Sequence, residues 1–114
     1  MDCIFCKIIN REIPSTIEYE DDRVIAFRDI QPAAKIHVLV VPKKHICCFD
    51  ALTEEDTALL GHVAKVIQTV AEKLGIKGNY RVVNNCGESV GQSVKHLHFH
   101  ILSNGDQPLP VTMC

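Results

Sequence analysis

Val94-Lys95-His96-Leu97-His98-Phe99-His100-Ile101-Leu102 sets a histidine at every second position, with apolar Leu97, Phe99 and Ile101 between them. A period of two is that of an extended strand, whose side chains point to opposite faces in turn. The stretch therefore predicts a strand with its apolar set on a core and three imidazoles sharing the other face. Three in register call for more than a solvated face. Equal ligation of one metal by all three is excluded by reach. Alternate strand positions lie roughly 6.5 Å apart, which puts His96 and His100 roughly 13 Å apart along the axis. A metal about 2 Å from each nitrogen cannot gather both outer rings. The histidines are expected to do different jobs.

Working outward, residues 86–93 form a polar loop in which Gly91 allows close backbone approach, with Gln92 and Ser93 as donors and Asn85 ending the strand before it. Such donors suit a phosphate, and neutral imidazole is a competent nucleophile toward phosphorus; the same composition also fits a plain loop. Residues 79–85 read as a strand. Thr53 opens a helix with Glu54, Glu55 and Asp56 in its first turn. Leu59, Leu60, Val63, Val66, Ile67, Val70 and Leu74 recur at threes and fours down to Gly75, which stops it. Before it, residues 36–42 form a β-branched strand ended by Pro42, and residues 15–21 and 23–29 a hairpin turning at 20–22. A short N-terminal helix carries Ile4, Phe5, Ile8 and Ile9 and closes before Pro14. Strands grouped around one long helix predict an α+β domain with an antiparallel sheet spanning residues 1–114.

The first helix begins with Cys3 and Cys6 at C-x-x-C spacing, which suits tetrahedral zinc, a redox pair or two free thiols. No thioredoxin-like βαβ unit accompanies it. Zinc needs two more ligands, and His45 after Pro42 plus one histidine of the triad are available. The remaining composition is ordinary. The 114 residues are 46% hydrophobic and 23% charged, with a formal charge of −2. There is no basic footprint for nucleic acid and no apolar run long enough for a membrane span. The start of the chain lacks a signal-peptide pattern, so the six cysteines read as cytoplasmic thiols.

The segment HLHFHIL resembles the signature of the histidine-triad (HIT) family. The likeness continues in CIFCKIINREIP, AFRDIQPAAKIHVLVVPKKHI and YRVVNNCGESVGQSV, over roughly residues 2–102. It is nearest the Hint-like branch of nucleoside phosphoramidases. The resemblance implies a homodimer with five antiparallel strands per subunit joined in a ten-stranded sheet. It implies a purine nucleotide substrate, AMP-like, cleaved between the α-phosphate and a leaving group. By resemblance His98 is the nucleophile and becomes nucleotidyl-histidine, with His100 and Ser93 as its catalytic partners. Asn85, Gly91, Gln92, Ser93 and His100 surround the phosphate, Asp29 binds the ribose, Ile30 lines the base pocket and His37 completes it. Bacterial relatives with the C-x-x-C imply one structural zinc on Cys3, Cys6, His45 and His96, outside the chemistry. His62 matches nothing in the family and reads as a surface histidine.

The chain departs from the family at Ser89-Val90-Gly91, where relatives have Asp-Gly-Gly, and valine is strained there if the position needs a positive φ. It departs again in its tail, which has no tryptophan. Both departures concern the leaving-group side. Three rivals remain: a hydrolase working through an open zinc, a Fhit-like dinucleoside polyphosphate hydrolase, and a nucleotide-binding scaffold without catalysis.

Overall fold

The computed structural model describes residues 3–110. Helix α1 (Ile4–Ile9) precedes strands β1 (Ile17–Glu20), β2 (Val24–Arg28) and β3 (Ile36–Pro42). Helix α2 (Thr57–Lys73) then leads to β4 (Arg81–Val83) and β5 (Phe99–Ser103). The five strands form one antiparallel sheet in the order β1-β2-β3-β5-β4. This is the α+β architecture expected.

Each face of the sheet has its own apolar layer, and strand alternation explains both. Val24, Ala26, Val38, Val40, Phe99 and Ile101 pack against Val63, Val66, Ile67 and Val70 of α2. The odd partners Ile25, Phe27, Leu39 and Val41 face the other way, onto Phe5 and Ile8 of α1. A strand buried on both sides reads as a continuous apolar run, which is why β3 shows no alternation. His37, two residues before Leu39, and His98 and His100, between the α2-facing Leu97, Phe99 and Ile101, fall on the α1 face.

The start of the long helix, the start of the histidine strand and the strain at Val90 differ from the sequence reading. The long helix begins at Thr57, because Thr53 and Asp56 close a capping box around a 3₁₀ turn over Glu54–Asp56 first. It ends as expected, with Gly75 at φ +73°. The histidine stretch is a strand only from Phe99. The Leu97 N–H goes to the Ile46 carbonyl at 2.6 Å instead of joining the ladder, and Leu97 and His98 lead into the strand. Val90 is unstrained: the loop takes its positive φ at Gly87 and Gly91, and Arg11 is the one non-glycine residue with positive φ among those described.

Candidate functional site

Two clusters of side chains meet on the α1 face, with His96 in one and His98 in the other. At the first, the bend before β5 turns His96 toward the start of α1. Its Nδ1 lies 3.3 Å from Cys3 Sγ, 3.6 Å from Cys6 Sγ and 3.2 Å from His45 Nδ1. Cys6 Sγ is 3.5 Å from His45 Nδ1. A tetrahedron with metal–sulfur bonds of about 2.3 Å and metal–nitrogen bonds of about 2.05 Å has edges of about 3.3 Å between nitrogens and about 3.6 Å between nitrogen and sulfur. These four separations match those edges to within about 0.3 Å, and all four ligand atoms lie within 4.8 Å of one another. The His96 Nε2–H donates to the Pro42 carbonyl at 2.7 Å, which leaves the Nδ1 lone pair free for a metal. Burial and the adjoining Cys3 sulfur raise the Cys6 thiol above its ordinary value, a repulsion that a cation relieves. Cys3, Cys6, His45 and His96 thus form a possible metal site.

The second cluster is a relay of imidazoles whose tautomers follow from their partners. The Ala33 N–H donates to His37 Nδ1 at 3.0 Å, so His37 carries its proton on Nε2. That proton is given to His100 Nδ1 at 2.8 Å. His100 then keeps its own proton on Nε2, as a donor. His98 donates from Nδ1 to the His96 carbonyl at 2.7 Å, which leaves its Nε2 a bare lone pair. All three are neutral near pH 7. Burial lowers His37 and His98, and burial with the neighbouring His98 and His37 takes His100 to about 4. Asp29, with a carboxylate oxygen 3.6 Å from His37 Nε2, opposes each of these shifts. Asp29, His37 and His100 also lie close enough to hold a metal. Ligation by His37 Nε2 would demand a proton on Nδ1, where Ala33 already donates. The relay is the better reading of that trio.

His98 and His100 open onto a cavity of about 380 Å³. Ile4, Phe5, Ile8, Phe27 and Leu39 supply its apolar wall, and Ser15, Arg28, Asp29, Gln31 and Ser93 its other polar groups. Ile30 stands at its mouth, 88% exposed. His37 lies behind His100 rather than on the wall. The dry wall with a few convergent polar groups is the form of a small-molecule site.

Two residues behave otherwise than expected. Gln92 is the clearest correction: its side chain has no donor left for a phosphate. Its Nε2 donates to the Cys47 and Val94 carbonyls at 2.8 and 3.1 Å, its Oε1 accepts from the Gly87 N–H at 2.9 Å, and its own N–H goes to the Gly87 carbonyl. It braces the loop that presents Ser93. His62 is not a plain surface histidine. Its Nε2 lies 2.5 Å from Asp21 Oδ2, tying α2 to the β1–β2 turn. Asn85 and Gly91 lie outside the described lining of the cavity. The sequence reading missed Asn84, whose Nδ2 donates to the His98 carbonyl at 2.9 Å and steadies the backbone under that ring. Nothing in a lone asparagine at a strand end marks that role.

Comparison with known proteins places this arrangement. The family described as "Scavenger mRNA decapping enzyme C-term binding" matches residues 2–110. A HIT-like protein of Synechocystis is 54% identical over 101 residues, 89% of each chain. The solved HIT family hydrolase of Clostridium thermocellum superposes with a TM-score of 0.91 at 48% identity, over 97% of each chain. A histidine triad protein of Clostridium difficile gives 0.90 at 49% identity, over 99% of this chain and 97% of the other. The match over residues 2–110 and the identity to HIT proteins across nearly the whole chain, on a fold that superposes with theirs, make this chain a member of the histidine-triad family.

Proposed function

We propose that the protein is a nucleotide hydrolase of the phosphoramidase type, cleaving the bond between the α-phosphate of a purine nucleoside monophosphate and a leaving group. One observation carries the reading: His98 donates its Nδ1 proton to the His96 carbonyl and turns an unprotonated Nε2 into the cavity. A neutral imidazole so oriented is a ready nucleophile. The Nε2 lone pair forms a bond to phosphorus as the bond to the leaving group breaks. The leaving group departs with a proton passed from the Ser93 hydroxyl on the cavity wall, and the proton that the attacking water releases in the second step returns to Ser93. The adduct is a cationic nucleotidyl-imidazole, and the His96 carbonyl stabilises it through Nδ1–H. Water then attacks phosphorus, the bond to Nε2 breaks, and the nucleoside monophosphate leaves with the water oxygen.

His100 contributes its Nε2–H to a phosphate oxygen, held in that tautomer by His37. Asp29 receives the ribose hydroxyls, and Ile30 covers the base. Cys3, Cys6, His45 and His96 hold one zinc ion. Four protein ligands leave it no open position, so it acts on structure alone.

Named HIT family hydrolases among the solved relatives support hydrolysis in general. The phosphoramidase assignment is tested by a product screen of AMP-amidates against dinucleoside polyphosphates. Release of AMP and free amine supports it, and preference for the polyphosphates assigns the Fhit-like reaction instead. A scaffold would bind AMP and turn over neither.

We also propose that two copies join through β4, the last strand of the sheet, where Val82 is exposed beside a groove of about 310 Å³ lined by Leu60, Ile67 and Tyr80. Light scattering at micromolar concentration should report a dimer.

A further inference from the structure

The metal cluster and the nucleotide cavity share one element, helix α1. Six residues are too few to be helical by themselves, since isolated helices below about 12 residues are marginal in water. Two things hold α1 in place. Its N-terminal end carries Cys3 and Cys6 against His45 and His96. Its inner face buries Phe5 and Ile8 on the sheet. Those same side chains, with Ile4, wall the cavity.

Phe5 stands at the junction. Its ring meets the His98 ring edge-on, centroids 5.0 Å apart at 84°. It also touches His96 at 6.0 Å and Phe27 at 5.5 Å. Three contacts orient the His98 ring: its Nδ1–H bond to the His96 carbonyl, the Phe5 edge, and the His100 ring, centroids 5.1 Å apart at 62°. The first depends on where the His96 backbone sits, and His96 is itself a ligand. The second depends on where α1 sits, and α1 carries two ligands between which Phe5 falls. Two of the supports of the proposed nucleophile therefore run to the same four-residue cluster, while the His100 ring and the Asn84 bond to the His98 carbonyl do not.

We propose that Phe5 is a positioning residue through which metal occupancy of the Cys3, Cys6, His45 and His96 cluster orders both His98 and the wall of the nucleotide cavity. The metal takes no part in the reaction. It fixes α1, and α1 holds the attacking ring and closes the cavity. The proposal rests on the nucleotide-hydrolase reading for the role of His98, and its test separates the two.

Zinc-loaded wild type, zinc-loaded Phe5→Leu and chelator-treated wild type are compared by zinc content, AMP titration, AMP-amidate kinetics and the NMR resonance of the His98 Nδ1–H. Leucine keeps the apolar cover and loses the aromatic edge. Loaded Phe5→Leu should retain its zinc and bind AMP within about twofold of wild type, while kcat falls about five- to tenfold, the worth of one aromatic contact. Its Nδ1–H signal should broaden as the ring loosens. The chelated protein should show the same broadening and bind AMP about tenfold more weakly as Ile4, Phe5 and Ile8 come away. A Phe5→Leu protein with lowered Tm but unchanged kcat and unchanged Nδ1–H signal is one in which Phe5 is core filling only, and the coupling is overturned. Chelated protein that keeps loaded affinity and signal overturns it too. If chelation unfolds the chain, the loaded Phe5→Leu arm decides. The Nδ1–H signal needs no nucleotide, so it still judges the coupling if wild type proves to bind no AMP; that result removes the hydrolase reading instead.

Discussion

Replacing Gln92 by alanine separates a brace from a phosphate ligand. Gln92 is 5% exposed, and its amide makes three hydrogen bonds, to the Gly87 N–H and to the Cys47 and Val94 carbonyls. A neutral intramolecular hydrogen bond is worth about 1 kcal/mol net, and partners left buried cost more than partners that water can reach. Cys47 and Val94 lie near the surface, so water recovers part of the loss. Gln92→Ala should therefore cost about 2–3 kcal/mol of unfolding free energy. In a chain of this length that lowers Tm by about 10 °C. Urea unfolding monitored by circular dichroism measures the first, and a thermal scan the second. AMP affinity should weaken only secondarily, as the loop carrying Ser93 loosens. A Gln92→Ala protein within about 0.5 kcal/mol of wild type that has lost tenfold or more in AMP affinity would refute the reasoning, because the amide would then be a phosphate donor and its three bonds incidental.

Cys6→Ser should abolish stoichiometric zinc by elemental analysis and lower Tm, since metal binding free energy is folding free energy when the unfolded chain binds poorly; full zinc retention would contradict the ligand set. The folded-state value of His98 is lowered by burial, so the ring stays neutral until pH falls below the ordinary imidazole range. The profile of kcat/KM should thus be flat from pH 8 to about 6.5 and fall only on the acid side of that value, and Asp29→Asn should push the acid limb lower still, because Asp29 raises His98. Asp21 accepts from the Arg23 and Val24 N–H groups, the Tyr19 hydroxyl and His62. Burial works against its charge, yet these bonds hold the carboxyl far below its ordinary value. Asp21→Asn should cost about 1–3 kcal/mol at pH 7 by denaturant titration. A depressed carboxylate stabilises above its unfolded value, so the deficit should shrink as pH drops below about 4.

Much of the fold was legible because alternation and helical spacing record which face of each element is buried. Val24 to Arg28, Ile36 to Pro42 and the α2 stripe all fell where their patterns put them. The limit of the reading shows at His96. Its alternation with Leu97 and His98 is strand-like, yet the side chain is drawn toward Cys3, Cys6 and His45, and the ladder starts only at Phe99. The pattern records sides, and hydrogen-bond partners decide where a strand begins. Gln92 was misread for a related reason. A donor's identity is visible in sequence, and its commitments to Cys47 and Gly87 are not. The His62–Asp21 contact joins residues 41 apart in the chain, beyond the reach of any local spacing. The proximity of Cys3 and Cys6 to two histidines was suggested by C-x-x-C chemistry, but the tetrahedral figure needed coordinates.

The most direct test of His98 as nucleophile is rapid-quench mass spectrometry during turnover of an AMP-amidate. A nucleotidyl adduct should appear within the first turnover on the peptide containing His98 and be missing in His98→Ala, which should still bind AMP through Asp29 and lose turnover by several orders of magnitude. An adduct on any other residue, or wild-type turnover in His98→Ala, would contradict it.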